Sequence, residues 1–548
     1  MSKSIKTIAV DLTPVLPGGE NGGAKIFVLE LLRQLAAMAP NTQFVLLTQA
    51  ASHAELAKMD GMNIRRRMVI GARTPGGLRP QLVRVGVRLM RHFPARLRGF
   101  AIRIGYRINT ALRWSSSGTL LRDMGADLLF CPFTAPTFFE ADIPTVCTIY
   151  DLQYKTYPEF FTPEDVAHRN RTFIEACRRS SRLAAISDYS RDSAITHGAI
   201  DALKIRTIHL RMAQRVNAAA GQDATVLPRL GLTAKRYLVY PANFWKHKNH
   251  EMLLTAFGMA CNGGMPTDIK LVCTGAPGMR QSWLREAASK MGLDGRVLFP
   301  GYLPNSELAA VIGQCRGVVF PSLYEGFGLP VIEAMAAGVP VACSNSTSLP
   351  EVAACAAIAF DPRVPTEIAA AIRQLVEDDA ECARLVEAGW IRAEEFADSQ
   401  RMAREYWELF QDARANLRSQ DSLTGFHADG WAGPVLNLQV TSSTGVQTLD
   451  ISMFAPDWLP HTRLTLQAVH NGRPEGKAMY LVRGANGTWS VPLAASGGYY
   501  EIRLSPAFIP AKLGMGADSR ELTAMLERCA IARTDGTGVE LFPEKATA

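Results

Sequence analysis

Short apolar runs alternate with amphipathic helical patterns between Ile5 and about Ile208. Helices are predicted at Ala24–Met38 and Pro163–Arg179. The apolar runs predict strands at Thr7–Leu12, Phe44–Thr48, Asp127–Cys131, Thr145–Ile149 and Leu183–Ile186. Strands that alternate with helices in this way favour an α/β fold with a parallel sheet.

A weakly patterned stretch, residues 211–235, indicates a linker, and a second alternating series follows it. Its predicted strands are Tyr237–Tyr240, Ile269–Thr274, Val297–Phe299, Gly317–Phe320 and Val339–Cys343. Its predicted helices are His250–Ala260, Ser282–Met291, Ser306–Cys315, Pro330–Ala337 and much of 365–417. Two doubly wound halves imply a cleft at the carboxyl ends of their strands, where such folds bind ligands.

Beyond about residue 420 the pattern changes to alternating apolar and polar positions, punctuated by Gly, Asn and Pro. The strands predicted there are Val435–Thr441, Thr448–Phe454, Arg463–Val469, Trp489–Pro492 and Tyr499–Leu504. This pattern is typical of a small antiparallel, sandwich-like domain. The chain of 548 residues is therefore divided into three domains, 1–215, 216–420 and 421–548.

The formal charge of +8 comes from one window, residues 61–122, which holds fourteen arginines and no acidic residue. The remaining 45 basic and 51 acidic residues give a net charge of −6. We expect the window to be a helical insertion of the first domain. Its amphipathic pattern suits contact with an anionic membrane or a lipid-linked acceptor, although a packed helix with a solvated basic face gives the same pattern. The arginines proposed for that surface are Arg84, Arg88, Arg91, Arg103 and Arg107.

Composition narrows the class of protein further. Hydrophobic residues make up 47% and charged residues 20%, which is typical of a soluble globular protein. No apolar run has the length of a membrane span. Ten cysteines without a C-x-x-C pair indicate buried, reduced thiols in a cytoplasmic protein. No Asp-x-Asp motif or Cys/His cluster predicts a metal site, and no motif beside the arginines predicts nucleic-acid binding.

The segment Phe320–Cys343 carries the strongest candidate chemistry. A predicted strand ends near Phe320, and Glu325 and Glu333 follow eight residues apart on a glycine-containing loop and the first turn of a helix. The unpaired N–H groups of a helix N-terminus favour a phosphate or a polar sugar. Each carboxylate can accept hydrogen bonds from two neighbouring hydroxyls, which a nucleotide sugar offers on both its ribose and its transferred sugar.

The stretch E-G-F-G-L-P-V-I-E, residues 325–333, resembles the E-x7-E signature of the family 4 retaining glycosyltransferases, which have the GT-B fold. The resemblance extends over about 1–417. Further segments that resemble the family are Gly18-Gly19 and Gly22-Gly23, Ala185–Ser190, the lysine loop Asn243–Asn249, Pro300–Leu303 and Ser348–Val352.

The resemblance implies that Glu333 holds the ribose hydroxyls, that Glu325 contacts the transferred sugar, and that Lys248 neutralises the diphosphate. The remaining donor-binding positions it implies are Gly22, Gly23, Asn243, Lys246, Gly326, Phe327, Gly328 and Leu329. The lysine role has an independent reason, because charge develops on the phosphate oxygens in the transition state.

The sequence departs from the family at two places. Ala242-Asn243 stands where the family usually has an arginine, and Lys246 is the candidate to supply that charge. Tyr150-Asp151 stands where the family often has His-Asp. We therefore expect Tyr150 or Asp151 to help position the sugar. The alternative for Asp151 is that it is only a turn residue or a helix cap.

The implied reaction is transfer of a sugar, with retention, from a GDP- or UDP-linked donor to a glycan acceptor, which we expect to be lipid-linked, in cell-surface polysaccharide synthesis. It implies no cofactor or metal, and a cytoplasmic protein with an optional peripheral contact to the membrane. A GT-B sugar-nucleotide epimerase and a non-catalytic glycan- or membrane-binding scaffold remain alternatives. The segment Ile509–Ile531, with its Asp-Ser-Arg core, resembles β-domains appended to bacterial polysaccharide glycosyltransferases. The C-terminal domain is expected either to bind a glycan or a partner protein or to serve as a rigid appendage.

Overall fold

The computed structural model describes most of the chain. The described residues are 4–16, 22–71, 120–134, 136–140, 143–213, 225–416, 421–427, 429–441, 443, 445–470, 472–495, 497–516, 518, 520–534, 536 and 538–542. The five arginines proposed for the membrane or acceptor surface lie outside these residues, as do Gly18 and Gly19.

The first half of the chain forms a parallel sheet in the order β3-β2-β1-β4-β5-β6-β7. Its strands are β1 (Thr7–Asp11), β2 (Gln43–Gln49), β3 (Ile64–Ile70), β4 (Leu128–Cys131), β5 (Thr145–Ile149), β6 (Arg182–Ala185) and β7 (Ile205–Thr207). The five predicted strands are confirmed. The apolar runs are continuous because the central strands are buried on both faces.

Strand β3 corrects the interpretation of residues 61–122 as a helical insertion. Residues 64–70 pair with β2 at the edge of the sheet, with Ile64 opposite Phe44. Three arginines in this strand hid its pattern, since an edge strand buries little and tolerates charge. Arg66 is bound to the Asp60 carboxylate at 2.7 Å, so part of the basic window is an ordinary charged sheet edge.

Helices of the first half cover the sheet on both faces. They are α1 (Gly22–Met38), α2 (Ala50–His53), α3 (Leu120–Asp123), α4 (Gln153–Thr156), α5 (Pro163–Arg179) and α6 (Asp188–Gly198), with 3-10 turns at Glu55–Met59, Pro158–Phe160 and Ala202–Lys204. The prediction for α5 is confirmed at both ends. Thr162 caps this helix by accepting a hydrogen bond from the Asp165 N–H, and Pro163 occupies its first turn.

The second half forms a six-stranded parallel sheet in the order β10-β9-β8-β11-β12-β13. Its strands are β8 (Tyr237–Pro241), β9 (Lys270–Thr274), β10 (Val297–Gly301), β11 (Gly317–Phe320), β12 (Val341–Ser344) and β13 (Ile358–Phe360). Its helices are α7 (Val226–Arg229), α8 (His250–Asn262), α9 (Met279–Lys290), α10 (Asn305–Gly313), α11 (Leu329–Ala336), α12 (Leu349–Ala353), α13 (Pro365–Glu377) and α14 (Asp379–Glu394), with a 3-10 turn at Lys246–Lys248. The two sheets confirm the α/β fold.

The predicted linker, residues 211–235, is not a solvated tether where the structure describes it. Arg211 is buried, and the Ala213 N–H donates to the Phe396 carbonyl at 3.1 Å. Val226 and Leu227 of α7 are also buried. The described parts of this segment are therefore anchored by buried residues, while others, such as Arg229 and Lys235, are exposed.

The last helix of this region, α15 (Ser399–Asn416), returns to the first sheet. The Tyr406 hydroxyl lies 3.1 Å from the Thr148 hydroxyl, and Asp412 forms an ion pair of 2.6 Å with Arg182. Although α15 falls in the range 216–420, it therefore packs on the first half and ties the two halves together.

The C-terminal region forms two antiparallel sheets, in the orders β14-β15-β20-β17-β18 and β19-β16-β21-β22. Their strands are β14 (Ser422–Phe426), β15 (Ala432–Val440), β16 (Gln447–Ala455), β17 (Arg463–His470), β18 (Arg473–Val482), β19 (Ala485–Leu493), β20 (Gly498–Ser505), β21 (Met525–Arg533) and β22 (Val539–Phe542), with a 3-10 turn at Pro510–Leu513. The predicted small antiparallel β-domain is confirmed. It packs on the first half, where the Tyr499 ring meets Phe139 edge-on at 5.8 Å.

Two general properties complete the description. The ten cysteines have free thiols, eight of them buried. Among the helices in the described ranges, each is too short or too polar to span a lipid bilayer.

Candidate active site

The two predicted glutamates lie on the loop between β11 and α11 and on α11 itself. Gly328 begins the turn into the helix with φ +107°, and a Cβ added there would lie 2.6 Å from the Leu349 side chain. Both the backbone conformation and the space therefore require glycine. Glu333, on the first turns of α11, is only 2% exposed.

Glu325 and Lys248 form a direct ion pair. The Lys248 Nζ lies 2.5 Å from the Glu325 carboxylate, and the two side chains are 13% and 12% exposed. The ammonium also lies 5.6 Å from the centre of the Phe320 ring. The structure thus brings together two residues for which the sequence implied separate roles on the donor.

The lysine loop is held against the glutamate loop by the backbone. The Leu323 N–H donates to the His247 carbonyl at 2.8 Å. Asn249, with φ +59°, donates its side-chain amide to the Pro321 carbonyl at 3.1 Å and to the Pro362 carbonyl at 2.7 Å. The sequence analysis gave Asn249 no role, although an asparagine that follows a short turn is a common left-handed residue.

Three further side chains that the sequence analysis missed surround Lys248. The Tyr240 hydroxyl donates to the Lys248 carbonyl at 2.7 Å. Burial, together with the charge of Lys248, lowers the pKa of His247 and of His250 to about 3. Both rings are therefore neutral at pH 7, and Lys248 is the cation that faces Glu325.

The opposite wall of the cleft is the end of β5. A Cβ added to Gly326 would clash with the Tyr150 carbonyl oxygen, so only glycine allows this approach. The Ser190 hydroxyl lies 2.8 Å from the Tyr150 carbonyl and 3.3 Å from the Gly326 carbonyl. The two halves of the chain thus meet at the glutamate loop.

Asp151 faces this junction. Burial raises the pKa of the Asp151 carboxyl, and nearby Glu325 raises it further, while Arg169 and Lys248 lower it. Its Oδ1 accepts a hydrogen bond from the Gln153 N–H at 3.1 Å. Asp151 therefore lies within the field of the Glu325–Lys248 pair and also holds the turn before α4, and its role in positioning a sugar stays a prediction.

The Tyr150 ring contacts aromatic side chains of the first half. The ring lies between Phe27, at 6.1 Å, and Phe133, at 6.4 Å, and burial raises the pKa of its hydroxyl well above the usual value. That buried hydroxyl has no hydrogen-bond partner among the described residues. The backbone carbonyl of Tyr150, and not its ring, is the group next to Gly326.

The remaining predicted donor-binding positions surround the same cleft. Gly22 begins α1 with φ +53°, and a Cβ on Gly23 would lie 3.9 Å from the Leu329 side chain, so the N-termini of α1 and α11 approach each other. Asn243 accepts a hydrogen bond from the Ala276 N–H at 2.9 Å, which joins the loops after β8 and β9. Lys246 is exposed.

The segment Ser348–Val352 closes the junction from the other side. The Ser348 hydroxyl lies 3.0 Å from the Glu325 and Phe327 carbonyls. Glu351 accepts hydrogen bonds from the Asp188 and Tyr189 N–H groups at 2.7 and 3.1 Å, at the N-terminus of α6. This carboxylate caps a helix of the opposite half, a role that the sequence analysis did not assign.

Asp188, His209 and Glu351 place three possible metal ligands within 4.8 Å of one another. Glu351 is already occupied by its two N–H groups and by His209 at 2.7 Å. Asp188 accepts from Thr207 at 2.6 Å and from Arg191 at 2.8 Å. These carboxylates are satisfied by protein donors, so the cluster fits an interdomain contact better than a cation.

The comparisons with known proteins agree with this geometry. Residues 228–390 match the family model for "Glycosyl transferases group 1". O-antigen chain mannosyltransferase B of Escherichia coli is 31% identical over 238 residues, which cover 43% of this chain and 62% of the relative. Serotype-specific mannosyltransferase WbdA of Escherichia coli is 33% identical over 139 residues, which cover 24% of this chain and 16% of the relative. The chain thus spans less than two thirds of the length of either relative.

A solved structure shares the fold. The crystal structure of Anabaena HepE in complex with UDP and glucose has a TM-score of 0.53 at 17% identity, and the match covers 74% of this chain and 99% of that one. Residues 228–390 are therefore similar to the group 1 glycosyl transferases, in line with the resemblance to the family 4 glycosyltransferases, and the solved structure shares the two-domain fold.

Proposed function

We propose that this chain is a retaining glycosyltransferase that transfers mannose from a nucleotide sugar to a growing cell-surface polysaccharide. The observation that carries the proposal is the partly buried Glu325–Lys248 pair at the junction of the two halves, 2.5 Å apart. The names of the two Escherichia coli relatives support mannose as the sugar and a surface polysaccharide as the product.

Donor binding gives each member of the pair its own partner. In this mechanism the Lys248 ammonium binds the donor diphosphate, while the Glu325 carboxylate accepts hydrogen bonds from the hydroxyls of the transferred sugar. Glu333, buried on the first turns of α11, holds the ribose. The N-terminus of α11 adds positive potential beside the diphosphate.

In the chemical step, the bond between the anomeric carbon and the phosphate oxygen breaks. The acceptor oxygen bonds to the same face of that carbon, and its proton passes to the departing phosphate oxygen. Lys248 stabilises the charge that develops on the phosphate, a role in which a fixed cation is worth about 3–4 kcal/mol. Because Lys248 and the helix N-terminus supply this charge, we expect activity to persist in EDTA.

The test is release of nucleoside diphosphate from GDP-mannose, with UDP-glucose and UDP-N-acetylglucosamine as alternatives and a mannose disaccharide as acceptor. Glu325→Gln should lower the rate at least about a hundredfold, the scale of loss for one transition-state contact. The control Glu387→Gln changes an exposed glutamate of the same domain. Turnover that survives Glu325→Gln would contradict the assignment of Glu325 to the active site. Release of an epimerised sugar nucleotide would indicate a sugar-nucleotide epimerase. Absence of turnover with every donor would favour the non-catalytic scaffold.

We further propose that the acceptor is lipid-linked and that the enzyme works at the cytoplasmic face of the membrane. Eleven of the fourteen arginines in residues 61–122 lie outside strand β3, on a chain whose remaining residues have a net charge of −6, and this concentration supports the proposal. Replacing Arg84, Arg88 and Arg91 with Glu should reduce sedimentation with anionic vesicles and leave GDP-mannose binding unchanged. Equal sedimentation of the variant and the wild type would contradict the membrane contact.

A further inference from the structure

A cavity of about 920 Å³ lies between the first half of the chain and the β-domain. Helices α4, α5 and α6 form one wall, and β14, β15 and described residues of the segment 509–521 (Ile509, Ala511, Lys512, Arg520 and Glu521) form the other. That segment includes the Asp-Ser-Arg core that the sequence analysis singled out. The β-domain is therefore more than an appendage, since it completes a cavity that the first half lines on only one side.

Three buried polar atoms belonging to residues that line this cavity have no hydrogen-bond partner among the described residues. They are Tyr154 Oη, Asn170 Oδ1 and His427 Nε2. Tyr154 is 4% exposed. Unpaired buried polar groups are costly and rare, and several around one cavity indicate that a polar ligand or water completes them.

The donor and acceptor capacity of these atoms suits hydroxyl groups. A phenol both donates and accepts, an amide oxygen accepts, and a neutral imidazole nitrogen does either, depending on the tautomer. Burial lowers the pKa of His427, so its ring is neutral at pH 7. Between these groups lie apolar side chains such as Phe161 and Val435, which suit the C–H faces of a sugar.

Charged side chains of both signs also line the cavity. Arg520 is already bound to Asp518 and Asp429, each at 2.7 Å. Lys155 lies within the field of Glu521. Two further cations, Arg178 and Lys512, line the cavity with the carboxylate of Glu159, so a polyhydroxyl ligand that also carries acidic groups would fit it.

The cavity is also next to the proposed transfer site along the chain. Asp151 accepts from the Gln153 N–H, and Tyr154, three residues after Asp151, lines the cavity. Three residues span at most about 11 Å. The Leu152 N–H between them donates to Tyr324 of the glutamate loop at 3.2 Å, so the segment 151–154 connects the two sites.

We propose that this cavity binds an internal segment of the acceptor glycan, several sugars from the end that receives the new residue. The β-domain would then select acceptors by their length. This inference rests on the proposed function and extends it by a second acceptor subsite outside the cleft.

The test compares a mannose hexasaccharide with a mannose disaccharide. Calorimetric binding of the hexasaccharide, without donor, should weaken about three- to tenfold in Tyr154→Phe, as expected for one lost hydrogen bond to a neutral group, and further in Tyr154→Phe/His427→Ala. The midpoint of unfolding of Tyr154→Phe without ligand should be unchanged or higher, because the hydroxyl has no partner to lose. His461→Ala, which changes a β-domain histidine outside the cavity, is the matched control.

Kinetics separates this proposal from the proposed function. In the double variant, KM for the hexasaccharide should rise while KM for the disaccharide and for GDP-mannose stays unchanged. Equal KM values in variant and wild type overturn the subsite and leave the transferase standing. Hexasaccharide binding that depends on Tyr154, without any transfer, supports the subsite and refutes the transferase. No hexasaccharide binding, or binding of inorganic phosphate that the double variant loses, overturns the subsite.

Discussion

The Glu325–Lys248 pair should dominate the stability of the second half in the absence of donor. At 2.5 Å and an effective dielectric of about 20, the gross attraction is roughly 6–7 kcal/mol. Desolvation offsets most of it, yet removal of one partner of a buried pair costs about 3–5 kcal/mol, because it leaves an uncompensated charge. Since the side chains remain 13% and 12% exposed, we expect Lys248→Met to cost about 3 kcal/mol, at the lower end of that range.

Calorimetry of the full chain measures this effect. For a domain of this size, about 3 kcal/mol corresponds to a fall of roughly 6–12 °C in the Tm of its transition. The double variant Lys248→Met/Glu325→Gln should recover most of the loss, because it leaves no buried charge. Exposed Glu387→Gln is the control. Equal destabilisation in the single and double variants, or none in the single, would refute a buried pair that is coupled before donor binds.

Three further predictions concern the junction of the two halves. Gly326→Ala should lower kcat about tenfold or more, because its methyl group would clash with the Tyr150 carbonyl. Gly313→Ala is the control, since the space around Gly313 is open. Equal kcat values in the two variants would contradict the contact between Gly326 and Tyr150. Glu351→Gln should speed amide hydrogen exchange at the N-terminus of α6, because the variant loses charge-assisted hydrogen bonds worth about 1.5–3 kcal/mol. An unchanged exchange rate would contradict the role of Glu351 as the cap of this helix. Because burial raises the pKa of Asp151, the ionised carboxyl costs stability at neutral pH. Asp151→Asn should therefore raise Tm at pH 7. This increase in Tm should shrink as the pH falls to about 4 and below, where the Asp151 carboxyl is protonated. An increase in Tm that does not depend on pH would contradict the raised pKa.

Much of the fold follows from local signals that need no tertiary information. Thr145–Ile149 is an uninterrupted apolar run and becomes a fully buried strand with those same ends. Pro163–Arg179 begins at a proline after a capping threonine. By contrast, Ile64–Ile70 pairs on one side only, so its three arginines cost little in the sheet and disguise its pattern.

The candidate site was predictable residue by residue but not as an arrangement. Glu325 and Lys248 were identified from separate loops, and their contact joins positions 77 residues apart, which only the packed sheets define. The direction of Tyr150 was also beyond the sequence, because it depends on the aromatic pocket that Phe27 and Phe133 form. Spacing within a motif reports local geometry, whereas partners across a cleft depend on how the domains dock.

The segment 150–154 links the parts of the molecule that the proposals treat separately. The Tyr150 carbonyl meets the glutamate loop, Asp151 lies within the field of the ion pair, and Tyr154 lines the cavity beneath the β-domain. A glycan held against Tyr154 in the cavity would therefore stiffen the short segment that leads to Tyr150 and Asp151 at the glutamate loop. The expected consequence is that a long acceptor improves the positioning of its own reacting end, so the β-domain would favour elongation of an existing chain over the first transfer.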